Sequence, residues 1–347
     1  MNCSKNPDFV LSGLSSDPDK PQLLFGLFLA FYLLSLIGNL LLLLAIGADI
    51  HLHTPMYFFL SQLSLVDLCS TTTTAPKMLE TLWTSSGLIS FSECLAQLYF
   101  FAVFANMDNL LLTAMAIDRY AAICHPLHYA LLMTPCRCGL LVGGSWGVAH
   151  SDSLIQTLML TQLSFYTNLE IPHFFCDFKP LLRFSCSDTH LNEDLMMVLT
   201  GLLGISPLLC IISSYAHIFL AVARIPSAQG KKKALATCSS HLSMVILFYI
   251  SVFATYLKSP SASHASGELG AAIMYALVTP TLNPFIYSLR NKDVKSSLKR
   301  ILSVKKFIVG KSKCELYFIT IKLITDGNVK MEVIPTQPIL EDMPKSK

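Results

Sequence analysis

Charge is what this chain has least of. Only 14% of its 347 residues are Asp, Glu, Lys or Arg, against about a quarter in an ordinary soluble domain. The scarcity is uneven. No charged side chain occurs from Pro21 to Ala48, Leu195 to Ala223, Ala234 to Leu257 or Leu269 to Leu289. A bilayer core takes roughly 20 apolar residues of helix, so each run is long enough to cross one. A large soluble core accounts for a high apolar fraction but not for charges spaced this way. The net charge of +3 is too small to argue for nucleic acid, and no such partner is expected. No phosphate loop, nucleophile elbow or metalloprotease motif occurs, so no enzymatic activity is expected. Residues 1–20 lack a short apolar stretch with a cleavage site; the expectation is no signal peptide, with the first apolar run inserting itself.

What is present is apolar: 53% of the residues are hydrophobic. Three further long runs each carry an acid within them: Asp67 in about 56–79, Asp108 in about 94–120 and Asp152 in about 139–162. Seven spans is the simplest count, and an all-α bundle of seven membrane helices the expected fold class. Lys and Arg gather at Arg119, Arg137, Arg224, Lys231–Lys233 and from Arg290 to Arg300, on one side of such a bundle. Asp17, Asp19, Glu93, Glu170, Asp188, Glu193, Asp194 and Glu268 fall on the other, while Lys20, Lys179, Arg183 and Lys258 run against the trend. The positive-inside rule then places the N-terminus outside and the C-terminus in the cytosol. The expected organisation is an outer N-terminal segment over 1–22, a seven-span domain over 23–290, a basic amphipathic segment on the lipid surface over 291–304, and a cytosolic tail over 305–347. A longer stretch between spans four and five, about 164–192, reads as a lid. Asn2-Cys3-Ser4 is a glycosylation sequon at Asn2. Cys3, Cys94, Cys176 and Cys186 are all on the oxidising side, where four cysteines allow three connectivities.

Ionisable groups inside a membrane are costly and mark function by default. If spans two and three lie side by side, Asp67 and Asp108 face one polar pocket with Asn39 and Asn283. Two carboxylates in low dielectric must share a proton or hold a cation, and a sodium ion with oxygen ligands would suit; no other cofactor is expected. Neutral acids bonded to their neighbours are the bland reading. Pro207, Pro280 and Pro284 interrupt spans five and seven, which membrane helices tolerate when neighbouring polar groups take the freed carbonyls. Gly143, Gly144 and Gly147 in span four read as a close helix approach. Asp152 beside His150 has three readings: contact with a ligand, pairing with His150, or impaired insertion. The pairs His51/His53, His125/His128 and His173/Cys176 fall short of the four ligands a structural zinc takes, and no metal site is expected.

Asp118-Arg119-Tyr120 at the inner end of span three places an acid beside an arginine that can exchange partners, the bistable element a switch needs. Together with Asn283-Pro284-Phe285-Ile286-Tyr287 it resembles the rhodopsin-like G-protein-coupled receptors, as do Gly38-Asn39, Trp146, and Pro207 with Tyr215. The stretches 52–60, 115–129, 214–215, 233–241 and 280–291 look like odorant-receptor signatures, and the resemblance covers roughly residues 8 to 303. It implies a receptor that binds small volatile odorants and activates a stimulatory olfactory-type heterotrimeric G protein, raising cyclic AMP at the plasma membrane. It also implies a Cys94–Cys176 bridge and a switch made of Asp118, Arg119, Tyr120, Tyr215, Asn283, Pro284 and Tyr287. The implied ligand pocket comprises Ala102, Ala105, Asn106, Thr200, Leu203, Val252, Thr255 and Tyr256, a mostly apolar set without Lys or Arg. The family's second lid bridge lacks its partner here, because the chain reads Phe165-Tyr166-Thr167; Cys186 is then either free or joined to Cys3. The tail beyond Val304 matches no family block. A transporter, a receptor for another ligand class and a poorly signalling family member are the rival readings.

Overall fold

The computed structural model describes residues 3–12, 21–167, 169–256, 265–290 and 293–300. Its frame is seven long helices: α1 (Pro21–Ala48), α2 (Pro55–Thr84), α3 (Phe91–Cys124), α4 (Pro135–Leu160), α5 (His190–Ala223), α6 (Ala228–Tyr256) and α7, running from Ala265 to Arg290. Even α4, with 26 residues, rises about 39 Å at roughly 1.5 Å per residue, more than a hydrocarbon core of about 30 Å. Helices α1, α3, α5, α6 and α7 are also apolar enough to cross a membrane on composition alone. The Thr71–Thr74 run dilutes α2, and glycines with His150-Ser151-Asp152 dilute α4. Leu33, Leu40, Leu44, Leu202, Leu209 and Leu220 point outward and exposed, while Asn39, Asp67, Thr71 and Asp108 are buried. A soluble protein would reverse that arrangement.

Local chemistry sets the helix ends. Pro55 and Pro135 occupy first-turn positions, where the missing N–H costs nothing. Ser90 and Glu93 form a reciprocal capping box at the start of α3. The prolines explain how α5 and α7 deviate. Each follows a π-helical turn, Gly201–Ile205 before Pro207 and Met274–Val278 before Pro280. A proline leaves the carbonyl four residues earlier without its helical donor. Asn109 Nδ2 donates to the Leu203 carbonyl freed by Pro207, at 2.5 Å. Asn39 Nδ2 donates to the Pro280 carbonyl freed by Pro284, at 3.2 Å. Gly38 lets α1 approach that kink, since a Cβ there would sit 2.9 Å from Pro284 Cγ.

At the end of the bundle where α1 begins, the polar N-terminal stretch is not a loose tail. Strand β1 (Cys3–Ser4) pairs antiparallel with β4 (Phe165–Tyr166). Strand β2 (Phe9–Leu11) lies between β3 (Leu88–Ile89), antiparallel, and β5 (Leu169–Ile171), parallel. Phe9, Leu11, Ile89, Leu98, Phe165 and Ile171 form a buried core beneath these strands. Gly87 is required there: Leu11 N–H donates to its carbonyl at 2.8 Å, and a Cβ on Gly87 would collide with the Leu11 backbone. Cys94–Cys176 ties the lid to α3, and Cys3–Cys186 ties the N-terminal strand to the lid. Of the two fates left open for Cys186, the structure takes the bridge.

The glycines of α4 require a correction. Gly139, Gly143, Gly144 and Gly147 have nothing within 4 Å of an added Cβ, so they admit no close helix neighbour and look outward. One compact unit covers Met1–Ser297 and a second Leu298–Lys347. Residues 293–300 are helical; Val294 and Ser297 are buried, and Ser297 Oγ donates to the Ala45 carbonyl at 3.3 Å. Asn2, the side chain of Tyr256 and the tail 305–347 lie outside the described residues.

Candidate functional site

Three polar nodes run down the inside of the bundle. The outermost joins three helices at the floor of the expected pocket. Tyr249 of α6 donates to Asn109 Oδ1 at 2.6 Å, while Asn109 Nδ2 holds the π turn of α5 at Leu203. Of the expected pocket residues, Ala102, Ala105, Asn106, Leu203 and Val252 are half-buried, Thr255 is buried and Thr200 is exposed on α5. Phe101 bridges lid and bundle, with ring centroids 4.6 Å from Phe175 and 5.5 Å from Tyr275. Gln97 fastens the lid further: its Oε1 accepts from Cys176 N–H at 2.9 Å and its Nε2 donates to the Thr73 carbonyl at 3.0 Å.

The middle node holds the expected ion site. Asn283 Nδ2 donates to both oxygens of Asp67, at 3.0 and 2.9 Å. Asn39 serves α7 through the Pro280 carbonyl. Asp108 is 7% exposed. Its Oδ1, with Asn39 Oδ1, Asn283 Oδ1 and the Tyr287 hydroxyl, is buried without a hydrogen-bond partner among the described residues.

The inner node links the same three helices as the outer one. Tyr215 of α5 donates to His241 Nδ1 at 2.7 Å, and His241 Nε2 donates to the Leu112 carbonyl of α3 at 3.0 Å. Only the Nε2–H tautomer satisfies both contacts. Asp118 and Arg119 do not pair with each other. Tyr129, in the short helix Tyr129–Leu132, donates to Asp118 Oδ1 at 2.8 Å, and Arg119 contacts the Met56 thioether. Neighbours on a helix diverge by about 100°, so the two charges point to different partners. Burial, then the adjacent Asp118 carboxylate, push the Tyr129 phenol up, which keeps it a donor. Tyr120 faces His125 Nε2 at 3.1 Å. A cleft of about 320 Å³, lined by Ile117, Tyr120, Leu132, Met133 and Arg137 among others, opens between the inner ends of α3 and α4.

This architecture, with its paired switch motifs, matches known proteins over most of its length. A sequence profile described as olfactory receptor covers residues 28–305. Olfactory receptor 1f45 of Rattus norvegicus is 54% identical over 305 residues, 88% of this chain and 97% of that protein. Olfactory receptor 1M1 of Mus musculus is 50% identical over 305 residues, with the same 88% and 97% coverage. Olfactory receptor 1N1 of Homo sapiens is 49% identical over 307 residues, 88% of this chain and 99% of that protein. The chain belongs to the olfactory receptor family. It is therefore a membrane protein with the rhodopsin-like seven-transmembrane fold, a non-enzymatic G-protein-coupled receptor for small molecules. As olfactory receptor residues, Asn109, Tyr249 and His241 had no assigned role in the sequence reading. The signal for Asn109 was Pro207, whose orphaned carbonyl calls for a donor on the facing helix.

Of the three readings open for Asp152, the structure removes one. It does not pair with His150. Its Oδ2 accepts from Asn106 Nδ2 at 2.7 Å and Gln156 Nε2 at 2.9 Å. His150 instead faces the Tyr99 hydroxyl through Nδ1 at 2.8 Å and stacks on Trp146. The amide of Asn106 lies across the α3–α4 seam and reaches the carboxylate before an imidazole on the same helix can.

Proposed function

We propose that this receptor binds a volatile odorant between α3, α5 and α6 and activates a stimulatory olfactory-type heterotrimeric G protein, raising cyclic AMP. The observation that carries the reading is the stacking of two hydrogen-bonded nodes on one set of helices. Asn109–Tyr249–Leu203 lies against the pocket positions, and Tyr215–His241–Leu112 lies inward of it on the same three helices. A ligand that displaces the Tyr249 hydroxyl frees the outer half of α6 from α3. The inner node then becomes the remaining tie on a swinging helix, and its loss exposes Arg119 and the inner cleft to a cytosolic partner. The coupling is a population shift, so the ligand must bind the displaced state more tightly than the resting one. The lid, fastened by Cys94–Cys176 and Gln97, keeps water from the pocket.

A sodium ion, or a shared proton, fits the middle node on its unpartnered oxygens. Asn39, Asp67, Asp108 and Asn283 would hold the ion, which would neutralise the two carboxylates. The receptor works at the plasma membrane, among lipids, with its N-terminus outside and its C-terminus in the cytosol. The test is a panel of odorants applied to cells with confirmed surface receptor, read in parallel for cyclic AMP and for calcium release. A cyclic AMP rise to a subset of neutral odorants is expected; a calcium response without cyclic AMP overturns the G-protein assignment.

A further inference from the structure

The cleft between the inner ends of α3 and α4 has two lobes that meet at Tyr120, Leu132 and Arg137. One lobe, of about 320 Å³, is apolar: Ile117 and Ala121 of α3 line it together with Leu140 and Leu141 of α4. The other, of about 470 Å³, has a polar rim, where His125 and His128 stand exposed beside Arg137. Residues three and four apart share a helix face, so Ile117, Tyr120 and Ala121 make one wall and Arg137, Leu140 and Leu141 the other. Leu140 is 75% exposed and Leu131 68%; the cleft therefore opens sideways, where lipid surrounds the bundle. Of the Arg137 nitrogens, Nη1 is engaged, donating to the Leu131 and Leu132 carbonyls at 3.0 and 3.3 Å, while Nη2 and Nε have no acceptor among the described residues. No acid lines either lobe, and Asp118 is buried and bonded to Tyr129. Arg137 also lies in the first turn of α4, against the helix dipole, with no acid in that turn to offset it.

We propose that this cleft holds an anionic phospholipid, with its headgroup phosphate on Arg137 and an acyl chain along the apolar lobe. The Nη2–Nε edge of a guanidinium presents two parallel N–H groups that match the oxygens of a phosphate, and the His125 and His128 rings add donors around it. A choline headgroup brings its own cation, for which the lobes offer no acid, so a headgroup of net negative charge is favoured. The chain lies about one turn deeper than the phosphate, because Leu140 and Leu141 follow Arg137 by one turn of α4. Since Nη1 holds the short helix Tyr129–Leu132, a bound lipid braces the element whose Tyr129 bonds Asp118. The proposal rests on the membrane placement of the bundle and is independent of the odorant and of the G protein.

The test is photo-crosslinking of the full-length receptor in phosphatidylcholine nanodiscs that contain phosphatidylglycerol with a diazirine in its acyl chain. Mass spectrometry locates the labelled residues. Labelling of Leu140 and Leu141 should exceed that of Leu33 and Leu40, outward-facing residues of α1. Unlabelled phosphatidylglycerol should displace the label about fivefold more effectively than an equal mole fraction of phosphatidylcholine, the preference one arginine gives at an anionic lipid surface. Arg137→Gln should abolish that preference. Ile117→Trp, which keeps every charge and fills the apolar lobe, should abolish the labelling of Leu140 and Leu141, and it decides the matter if Arg137→Gln does not fold. Soluble glycerol phosphate, a headgroup without chains, should leave the label in place at equal concentration. The proposal is overturned if phosphatidylcholine competes equally, if glycerol phosphate displaces the label, or if Ile117→Trp retains it. Labelling no stronger than on α1 overturns it too, and leaves the cleft to a protein partner.

Discussion

Cutting the Cys3–Cys186 bridge should loosen the outer cap without dismantling the bundle, by an amount that can be worked out. The two cysteines are 183 residues apart, and a closed loop of that length in a random coil would correspond to about 5 kcal/mol of closure entropy. That figure is too large here. Helices α1 to α4 stay inserted whether or not the bridge forms, and Cys94–Cys176 still holds the lid. What the bridge closes is the chain from Cys3 to the start of α1 plus the lid from Cys176 to Cys186. That is on the order of 30 residues, for which the same relation gives about 3–4 kcal/mol. This stability belongs to the β1–β4 and β3–β2–β5 pairings and to the Phe9 contacts with Phe91 and Phe165. Cys3→Ser and Cys186→Ser should each release the cap by that amount, and the double variant should add almost nothing. Amide hydrogen exchange across residues 9–11 and 165–171, with reductant as a third arm, measures it. A damaging Cys186→Ser beside a silent Cys3→Ser would refute the reasoning, because Cys186 would then have another partner.

Other perturbations follow from single contacts. Burial holds the lid imidazole of His173 down at about 4, against 6.5 for a free histidine. The unfolded lid therefore takes up a proton first as pH falls through 6.5, and lid stability drops until about pH 4, by on the order of 3 kcal/mol in total. A His173→Gln receptor should lose that pH dependence of melting, and an unchanged slope would sink the assignment. Agonist potency should depend on sodium or on pH, and Asp67→Asn with Asp108→Asn should remove the dependence; a wild-type dose-response curve already indifferent to both contradicts the shared site. Tyr215→Phe breaks the tie to His241 and should raise ligand-independent cyclic AMP several-fold; a fall in basal signal would mean that the node supports the active state. Truncation after Val304 should leave surface level and response unchanged, since every node lies upstream. A receptor that reaches the surface but no longer signals would assign the tail a docking role.

The spans were legible because a membrane demands long uncharged helices, and few other structures produce four charge-free runs of that length. The bridge at Cys94–Cys176 came with the family resemblance. Contacts between distant short segments were not legible. Phe9-Val10-Leu11 is too brief to read as a strand, and its partners lie at 88–89 and 169–171. Sequence proximity suggests His150 as a partner for Asp152, whereas the seam between α3 and α4 gives it Asn106. The glycines of α4 suggest a helix contact that the structure does not make, because small residues look alike in sequence whether they face a helix or lipid. Pro207 and Pro284 each imply more than a kink. Each orphaned carbonyl predicted a buried donor, and Asn109 and Asn39 are those donors.

The most direct test of the central claim, an odorant switch acting through the inner ends of α3, α5 and α6, is agonist-evoked cyclic AMP in wild type and Arg119→Ala at matched surface level. Arg119 touches neither the pocket positions nor the lid, so its loss should spare odorant binding while abolishing the cyclic AMP response. A full response in Arg119→Ala would contradict the account, as would odorant binding lost together with signalling.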